Sequence, residues 1–241
     1  MIEVVELFSS IQGEGLYVGT RQVFARLAGC NLTCAYCDTP ESRHTVRTAL
    51  IEKTPGNRDF YQLSNPLPID KLANLINSLL TFRHHSISLT GGEPLCQAQM
   101  IAELAPQLKA PVYLETNGTL ASQLALVLPH IDIISMDIKL PSTTGKAYWQ
   151  EHTDFLRLAA TKEVFVKIVV TGQSNYDELQ QAFKLVASVS DSIPVILQPV
   201  TPTNGCELVS PDKMLVHQEC ASALLTDVRV IPQTHKFMGQ L

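Results

Sequence analysis

Apolar and polar positions along this chain alternate between two periods. The stretches QVFARLAG (22–29), SISLT (86–90), VYLET (112–116), IDIISMDIK (131–139), EVFVKIVVT (163–171), PVILQPV (194–200) and DVRVIPQ (227–233) are short apolar runs of strand character. Between them, IDKLANLINSLL (69–80), AQMIAELAPQL (98–108), AYWQEHTDFLRLA (147–159), YDELQQAFKLVASV (176–189) and the segment from Pro211 to about Leu225 carry apolar residues at helical spacing. Strand and helix in succession predict right-handed crossovers and a parallel sheet. The fold class expected is α/β, an incomplete parallel barrel of (β/α)6 type.

In barrels the chemistry sits at the C-terminal ends of the strands. Each strand here is followed by an unusual polar group: Cys30, then TGGEP (90–94), ETNG (115–118), Lys139, Thr171 with Gly172, and Gln198. Residues 39–68 break the rhythm with four prolines and mixed charge. They read as a partly ordered insertion outside the barrel core of a single 1–241 domain.

The formal charge of −5 and the lack of clustered Lys and Arg argue against a nucleic-acid partner and favour a small-molecule substrate. No apolar run is long enough for a bilayer span, and the N-terminus MIEVVELFSSIQGEG is interrupted by polar residues, so the expectation is a soluble, cytoplasmic protein without a membrane partner.

Cys30, Cys34 and Cys37 form Cys-x3-Cys-x2-Cys within GCNLTCAYCDTP. Three thiolates at this spacing can hold three irons of a 4Fe-4S cluster, whereas an electron carrier needs a fourth ligand nearby. The iron left open suits the amino and carboxylate groups of S-adenosylmethionine, a source of radical chemistry. Zinc would need a closed four-ligand site, with His44 the nearest candidate to complete it. Cys96, Cys206 and Cys220 are widely spaced and read as small apolar residues, Cys96 with some redox exposure.

Together the triplet and Thr90-Gly91-Gly92-Glu93-Pro94 resemble the radical S-adenosylmethionine superfamily, in which a GGEP-like loop binds the cofactor's methionine amino group. More narrowly, Phe8-Ser9-Ser10-Ile11-Gln12-Gly13-Glu14-Gly15, VFARLAGCNLTCAYCDT, ETNG, Gln198-Pro199 and QTHK (233–236) are similar to the 7-carboxy-7-deazaguanine synthase family. Linked motifs in order are more specific than any one alone. The resemblance implies a lyase that converts 6-carboxy-5,6,7,8-tetrahydropterin to 7-carboxy-7-deazaguanine with loss of ammonia, in queuosine and deazapurine biosynthesis. Cleavage of S-adenosylmethionine would yield a 5'-deoxyadenosyl radical that takes hydrogen from C6 of the pterin, and the cofactor would be regenerated. It also implies Mg2+, a reducing donor such as flavodoxin, and a homodimer.

Carried over onto this chain, Cys30, Cys34 and Cys37 are the iron ligands, Tyr36, Cys37 and Asp38 lie beside the adenine, and Thr39 ligates magnesium. Gly92, Glu93, Ser135, Lys139 and Gln198 become further cofactor contacts. Ile11, Gln12, Gly13, Glu14, Arg26, Thr90, His235 and Leu241 become substrate contacts, and none is assigned as acid or base. A guanidinium at Arg26 also makes independent sense as a bidentate carboxylate grip. Two stretches depart from the pattern. SMDIK replaces a shorter Ser-Pro-Lys, which makes Asp137 a rival to Ser135 and Lys139, and the tail ends in FMGQL. The alternatives are a glycyl-radical enzyme activase, which shares the cysteine spacing but not the QGEG stretch, and a non-enzymatic zinc or iron-sulfur scaffold.

Replacing Cys30, Cys34 or Cys37 singly by Ala should abolish cluster assembly and S-adenosylmethionine cleavage, whereas Cys96→Ala, Cys206→Ala and Cys220→Ala should leave both intact. Iron and sulfide analysis of protein purified without oxygen checks this, and full loading of the Cys34→Ala variant would defeat it.

Overall fold

The computed structural model describes residues 1–240. In chain order the elements are β1 Val4–Ile11, β2 Arg21–Leu27, β3 Thr48–Glu52, β4 Phe60–Ser64, α1 Ile69–Ser78, β5 Ser86–Gly91, α2 Ala98–Leu104, β6 Val112–Thr116, α3 Ala121–Val127, β7 Ile133–Asp137, α4 Pro141–Thr144, α5 Trp149–Ala159, β8 Glu163–Val170, α6 Tyr176–Val189, β9 Val195–Pro199, α7 Pro211–Ser222, β10 Val228–Val230 and α8 Thr234–Phe237. All ten strands join one sheet in the order β10-β9-β8-β7-β6-β5-β2-β1-β3-β4. From β2 through β10 every neighbouring pair is parallel. Among the described residues β10 and β4 remain as separate edges, so the barrel is incomplete.

The strands of the parallel part are buried on both faces, as crossover helices require: β7 is buried at all five positions. Helices α1, α2, α3, α5, α6 and α7 pack in sequence along the outer face, each against the next. On α6 the residues Leu179, Ala182, Phe183 and Val186 make the inward stripe, spaced as a 3.6-residue period demands. Its start is fixed by a capping box, in which Asn175 Oδ1 accepts from Glu178 N at 3.0 Å and Glu178 Oε1 accepts from Asn175 N at 2.8 Å.

Three features differ from the sequence expectation. Val4–Ile11 is a strand, antiparallel to β2, although Glu6 and the Ser9-Ser10 pair mask the alternation. A short helix, α3, lies between VYLET and IDIISMDIK, where too few residues are available for a clear period. The segment 39–68 is also no loose insertion. Its strands β3 and β4 form an antiparallel pair, and β3 extends the sheet by pairing in parallel with β1. Ala49, Ile51 and Leu67 from this region are at most 1% exposed and belong to the main core. Exposed Thr48, Leu50, Gln62 and Ser64 alternate with that apolar face, and the proline-bearing, charged turns on either side hide the pair from a composition-based reading.

A second, smaller core lies in the lumen, where Tyr113, Ile133, Phe165 and Ile196 meet Leu16 and Tyr17. The turn Gly15–Tyr17 reaches this floor because Gly15 adopts φ +67°, and an added Cβ there would collide with the Phe165 ring. Tyr17 stands edge-on to Tyr113 at 5.9 Å. The floor closes one end of the lumen and leaves the other end open.

Because Ile51 packs in the main core, Ile51→Ala should destabilise the protein by about 2–5 kcal/mol, the range for truncating a buried aliphatic side chain. Denaturant unfolding checks this. A loss below about 0.5 kcal/mol would mean that residues 39–68 sit outside the cooperative core.

Candidate active site

Side-chain alternation builds the site directly on the apolar floor. Two residues beyond Tyr113, Ile133, Phe165 and Ile196, the same face of each strand carries Glu115, Ser135, Lys167 and Gln198, and all four line one cavity of about 220 Å³. Asp137 follows Ser135 on β7, and Lys139 stands just past the strand end on the same wall. The longer SMDIK segment therefore brings Ser135, Asp137 and Lys139 to one cavity together.

These charges are paired. Lys139 Nζ donates to Asp137 Oδ2 at 2.9 Å and to the Tyr36 hydroxyl at 3.1 Å. Lys167 Nζ lies 3.4 Å from the same Asp137 oxygen and also donates to Glu14 Oε2. Burial opposes the charge on Lys139, but Asp137, Tyr36 and Cys34 together more than offset it and keep the ammonium protonated well above the ordinary lysine range. Burial likewise opposes the Glu14 carboxylate, yet Lys167, Gln233 and His235 hold its pKa at about 2. His152 fixes the backbone of this wall: its Nε2 accepts from Lys139 N at 3.1 Å while Nδ1 donates to the Gly118 carbonyl at 3.0 Å. Burial lowers its pKa to about 4, consistent with a neutral ring.

The cysteine loop is held against the TGGEP loop by backbone packing. Glu93 N donates to Gly29 O at 2.7 Å and Gly92 N to Leu27 O at 3.1 Å. A Cβ on Gly91 would strike Leu27 O, and one on Gly92 would strike Gly29 O and Ser42 O. The two glycines thus admit the cysteine loop's own backbone, where the sequence suggested room for a ligand. Glu93 differs as well. It is 1% exposed and behind the cavity wall, where its carboxylate accepts from Leu95 N at 3.0 Å, Thr116 Oγ1 at 2.9 Å and Asn117 N at 2.7 Å. Burial raises its pKa to about 7. Its visible task is to join the TGGEP and ETNG loops rather than to face a ligand.

Cys30, Cys34 and Cys37 line the cavity as free thiols, with Tyr36, Asp38 and Thr39 beside them. Burial raises the pKa of Cys30 and Cys34. Among the described residues no three His, Cys, Asp or Glu side chains converge as ligands of a single ion would. The donor set fits a cluster whose cysteines bind separate irons. Gln198 Oε1 and Asp137 Oδ1 are buried acceptors without a partner among the described residues, which suits a ligand rich in N–H and O–H groups. These residues therefore fit both the cluster and S-adenosylmethionine.

The same cavity is lined by Ile11, Gln12, Gly13, Glu14, Arg26, Thr90 and His235. Gln12 Nε2 donates to Glu115 Oε1 at 2.8 Å, and Thr90 Oγ1 to Glu115 Oε2 at 3.1 Å. Arg26 Nε is held by Glu6 at 2.6 Å, which aims the guanidinium while leaving its fork to the cavity. The C-terminal segment crosses the mouth: Thr234 N donates to Gly13 O at 2.9 Å, and Gln233 Nε2 donates to Glu14 Oε1 at 2.7 Å and Asp38 Oδ2 at 3.0 Å.

The family model for the radical SAM superfamily matches residues 26–186. The chain is 47% identical to the 7-carboxy-7-deazaguanine synthase of Geobacter sulfurreducens, over 99% of this chain and 98% of that one. The chain belongs to the 7-carboxy-7-deazaguanine synthase family. The enzyme of that name from Methanothermobacter thermautotrophicus is 34% identical over 98% of this chain and 96% of its own. In fold, the chain is similar to QueE from Escherichia coli, with a TM-score of 0.61 at 20% identity, covering 97% of this chain and 94% of that one. Membership carries the radical S-adenosylmethionine fold and the 4Fe-4S and S-adenosylmethionine cofactors expected from the sequence.

Of the residues proposed from the sequence, all but two line the cavity. Glu93 lies behind its wall, and Leu241 lies outside the described residues. Sequence reasoning missed Lys167, Glu115 and Gln233 as site residues. The first two had a readable signal, since each is a charged residue on the inward phase of an apolar strand. Gln233 stood in the QTHK motif, but its bridge to Glu14 and Asp38 was not readable there, because it spans segments distant in sequence.

Gly13 is required by the tail, since a Cβ there would overlap the His235 ring. Gly13→Ala should weaken substrate binding at least about tenfold by displacing His235, while S-adenosylmethionine binding changes less than threefold. Binding of each ligand, measured separately, tests this, and unchanged substrate affinity would remove the tail from the site.

Proposed function

We propose that this chain converts 6-carboxy-5,6,7,8-tetrahydropterin to 7-carboxy-7-deazaguanine with loss of ammonia, in queuosine and deazapurine biosynthesis. One observation carries the reading: a single cavity is lined both by the cysteine triplet and by a hydrogen-bonding set in which Arg26 stands with Gln12, Thr90 and Glu14. When bound, the 4Fe-4S cluster and S-adenosylmethionine supply the electron and the radical that removes a substrate hydrogen. The protein's residues orient the two ligands and exclude water.

On the substrate side, the forked Arg26 guanidinium, preset by Glu6, takes the pterin carboxylate. Gln12, Thr90 and Glu14 offer donors and acceptors to the polar ring edge, and His235 covers it. On the cofactor side, Gln198 and the backbone at Tyr36–Asp38 meet the nucleoside, while Ser135 and Lys139 complete the wall. Glu93 acts from behind by fixing the two loops. Thr39 is anchored through its carbonyl, which accepts from Ser42 Oγ at 2.6 Å, and its hydroxyl is the ligand offered to Mg2+, a hard cation that favours oxygen. The same reading includes a flavodoxin-like electron donor and a cytoplasmic homodimer. No helix of the described residues is long and apolar enough to cross a membrane.

Anaerobic turnover of the carboxy-tetrahydropterin, followed by detection of the deazaguanine product, tests the reaction. Arg26→Lys should lose pterin affinity by on the order of 2–5 kcal/mol, nearly as much as Arg26→Ala, because an ammonium cannot reproduce the bidentate fork. S-adenosylmethionine binding should survive in both. Wild-type pterin affinity in Arg26→Lys would take Arg26 out of the site.

A further inference from the structure

One buried cation is left without a role in this reading. Lys167 lies on the inward face of β8, 13% exposed, between Glu14 of the N-terminal loop and Asp137 of β7. Glu14 belongs to a loop, Gln12–Gly15, whose backbone is tied at Gln12 to Thr20 and Gly19 and at Gly13 to Thr234, while Glu14 itself is held by its N–H donating to Gln12 Oε1 at 3.0 Å. Its carboxylate direction is therefore set by side chains. Lys167 grips one oxygen and Gln233 the other.

We propose that Lys167 is a positioning residue: clamped to the rigid β7–β8 wall through Asp137, it holds Glu14 in the cavity as an ionised acceptor for an N–H of the substrate. The idea rests on the pterin reading for the identity of that N–H. The clamp itself rests on geometry alone. A carboxylate can only accept hydrogen bonds when ionised, whereas a protonated one donates. Without the ammonium, a buried Glu14 would retain the desolvation that favours its protonated form and lose the main interaction opposing it.

The charged and titratable groups around Glu14 are Lys167 on β8, Asp137 on β7 acting through Lys167, Glu115 and Tyr113 on β6, His235 on α8, and Asp38 across Gln233. Removing Lys167 leaves His235 as the nearby titratable cation. Because protonation would then compete within the working range, acceptance by Glu14 should fade as pH falls and return as pH rises.

The test uses reconstituted holoenzyme carrying Lys167→Met, which keeps the stem and removes the charge, and Lys167→Arg, which keeps the charge. Affinity for the carboxy-tetrahydropterin is measured from pH 6 to 8.5, S-adenosylmethionine affinity in parallel, and amide hydrogen exchange without substrate. Lys167→Met should lose at least about tenfold in pterin affinity, the loss deepening toward pH 6, with exchange at residues 12–15 and 233–235 accelerated. Lys167→Arg should return to within about threefold of wild type on every measure. In a Glu14→Gln background, Lys167→Met should add less than about threefold and remove the extra pH dependence, because its effect passes through Glu14.

Unchanged pterin affinity and loop exchange in Lys167→Met would overturn the proposal. So would equal damage in Lys167→Arg with both ligands lost and exchange accelerated throughout β7, β8 and β9, which would make the residue structural. If wild-type protein binds no pterin yet the exchange pattern follows expectation, the substrate reading fails and the positioning role stands.

Discussion

Two lysines and two carboxylates lie in the barrel lumen, where an unpaired charge would cost several kcal/mol, and the way they pair fixes the walls of the site. The chain of contacts runs from Glu14 to Lys167, on to Asp137 and then to Lys139 and Tyr36. It joins the N-terminal loop, β8, the end of β7 and the cysteine loop, four segments with no continuous backbone between them. Replacing one member leaves its neighbour buried and uncompensated, so these elements share one electrostatic fate. Asp137 Oδ1 remains at the centre, an acceptor without a partner among the described residues.

Around that network, backbone contacts set the finer geometry. Gly91 and Gly92 let the TGGEP loop touch the cysteine loop directly, and Glu93 fastens them to ETNG through two hydrogen bonds, from Thr116 Oγ1 and Asn117 N. The cysteines are thereby presented from a loop with little regular structure of its own. Such a loop must be held from behind if its thiols are to meet a cluster without reorganising, and the buried Glu93 is the tie that does this. The C-terminal segment performs the corresponding task at the mouth, where Gln233 bridges Glu14 and Asp38 and Lys236 lies 3.3 Å from Asp38.

Much of the architecture was legible in one dimension because period and burial are linked. The alternation of strands and helices from Gln22 onward marked the parallel sheet, and the rim rule pointed to Cys30, Thr90, Lys139 and Gln198. Strand β1 and the β3–β4 pair were less legible. Their apolar faces are narrow, polar residues interrupt them, and their burial depends on pairing at the sheet edge. The short helix α3 offered too few residues for its period to stand out.

Local chemistry determined which groups were candidates: a cysteine triplet with one ligand too few for a closed cluster, two glycines before a carboxylate, and polar residues after apolar strands are properties of neighbours in the chain. Partnership is a property of space. That Glu93 is buried behind the cavity wall while Asp137 lines it was decided when β5, β6 and β7 came together, Arg26 met Glu6 only when β1 paired with β2, and Lys167 met Glu14 across 153 positions of sequence only when the N-terminal loop settled against β8. The physical reason is that hydrogen bonds and ion pairs act over a few ångströms, and only the folded sheet brings residues so distant in sequence within that range.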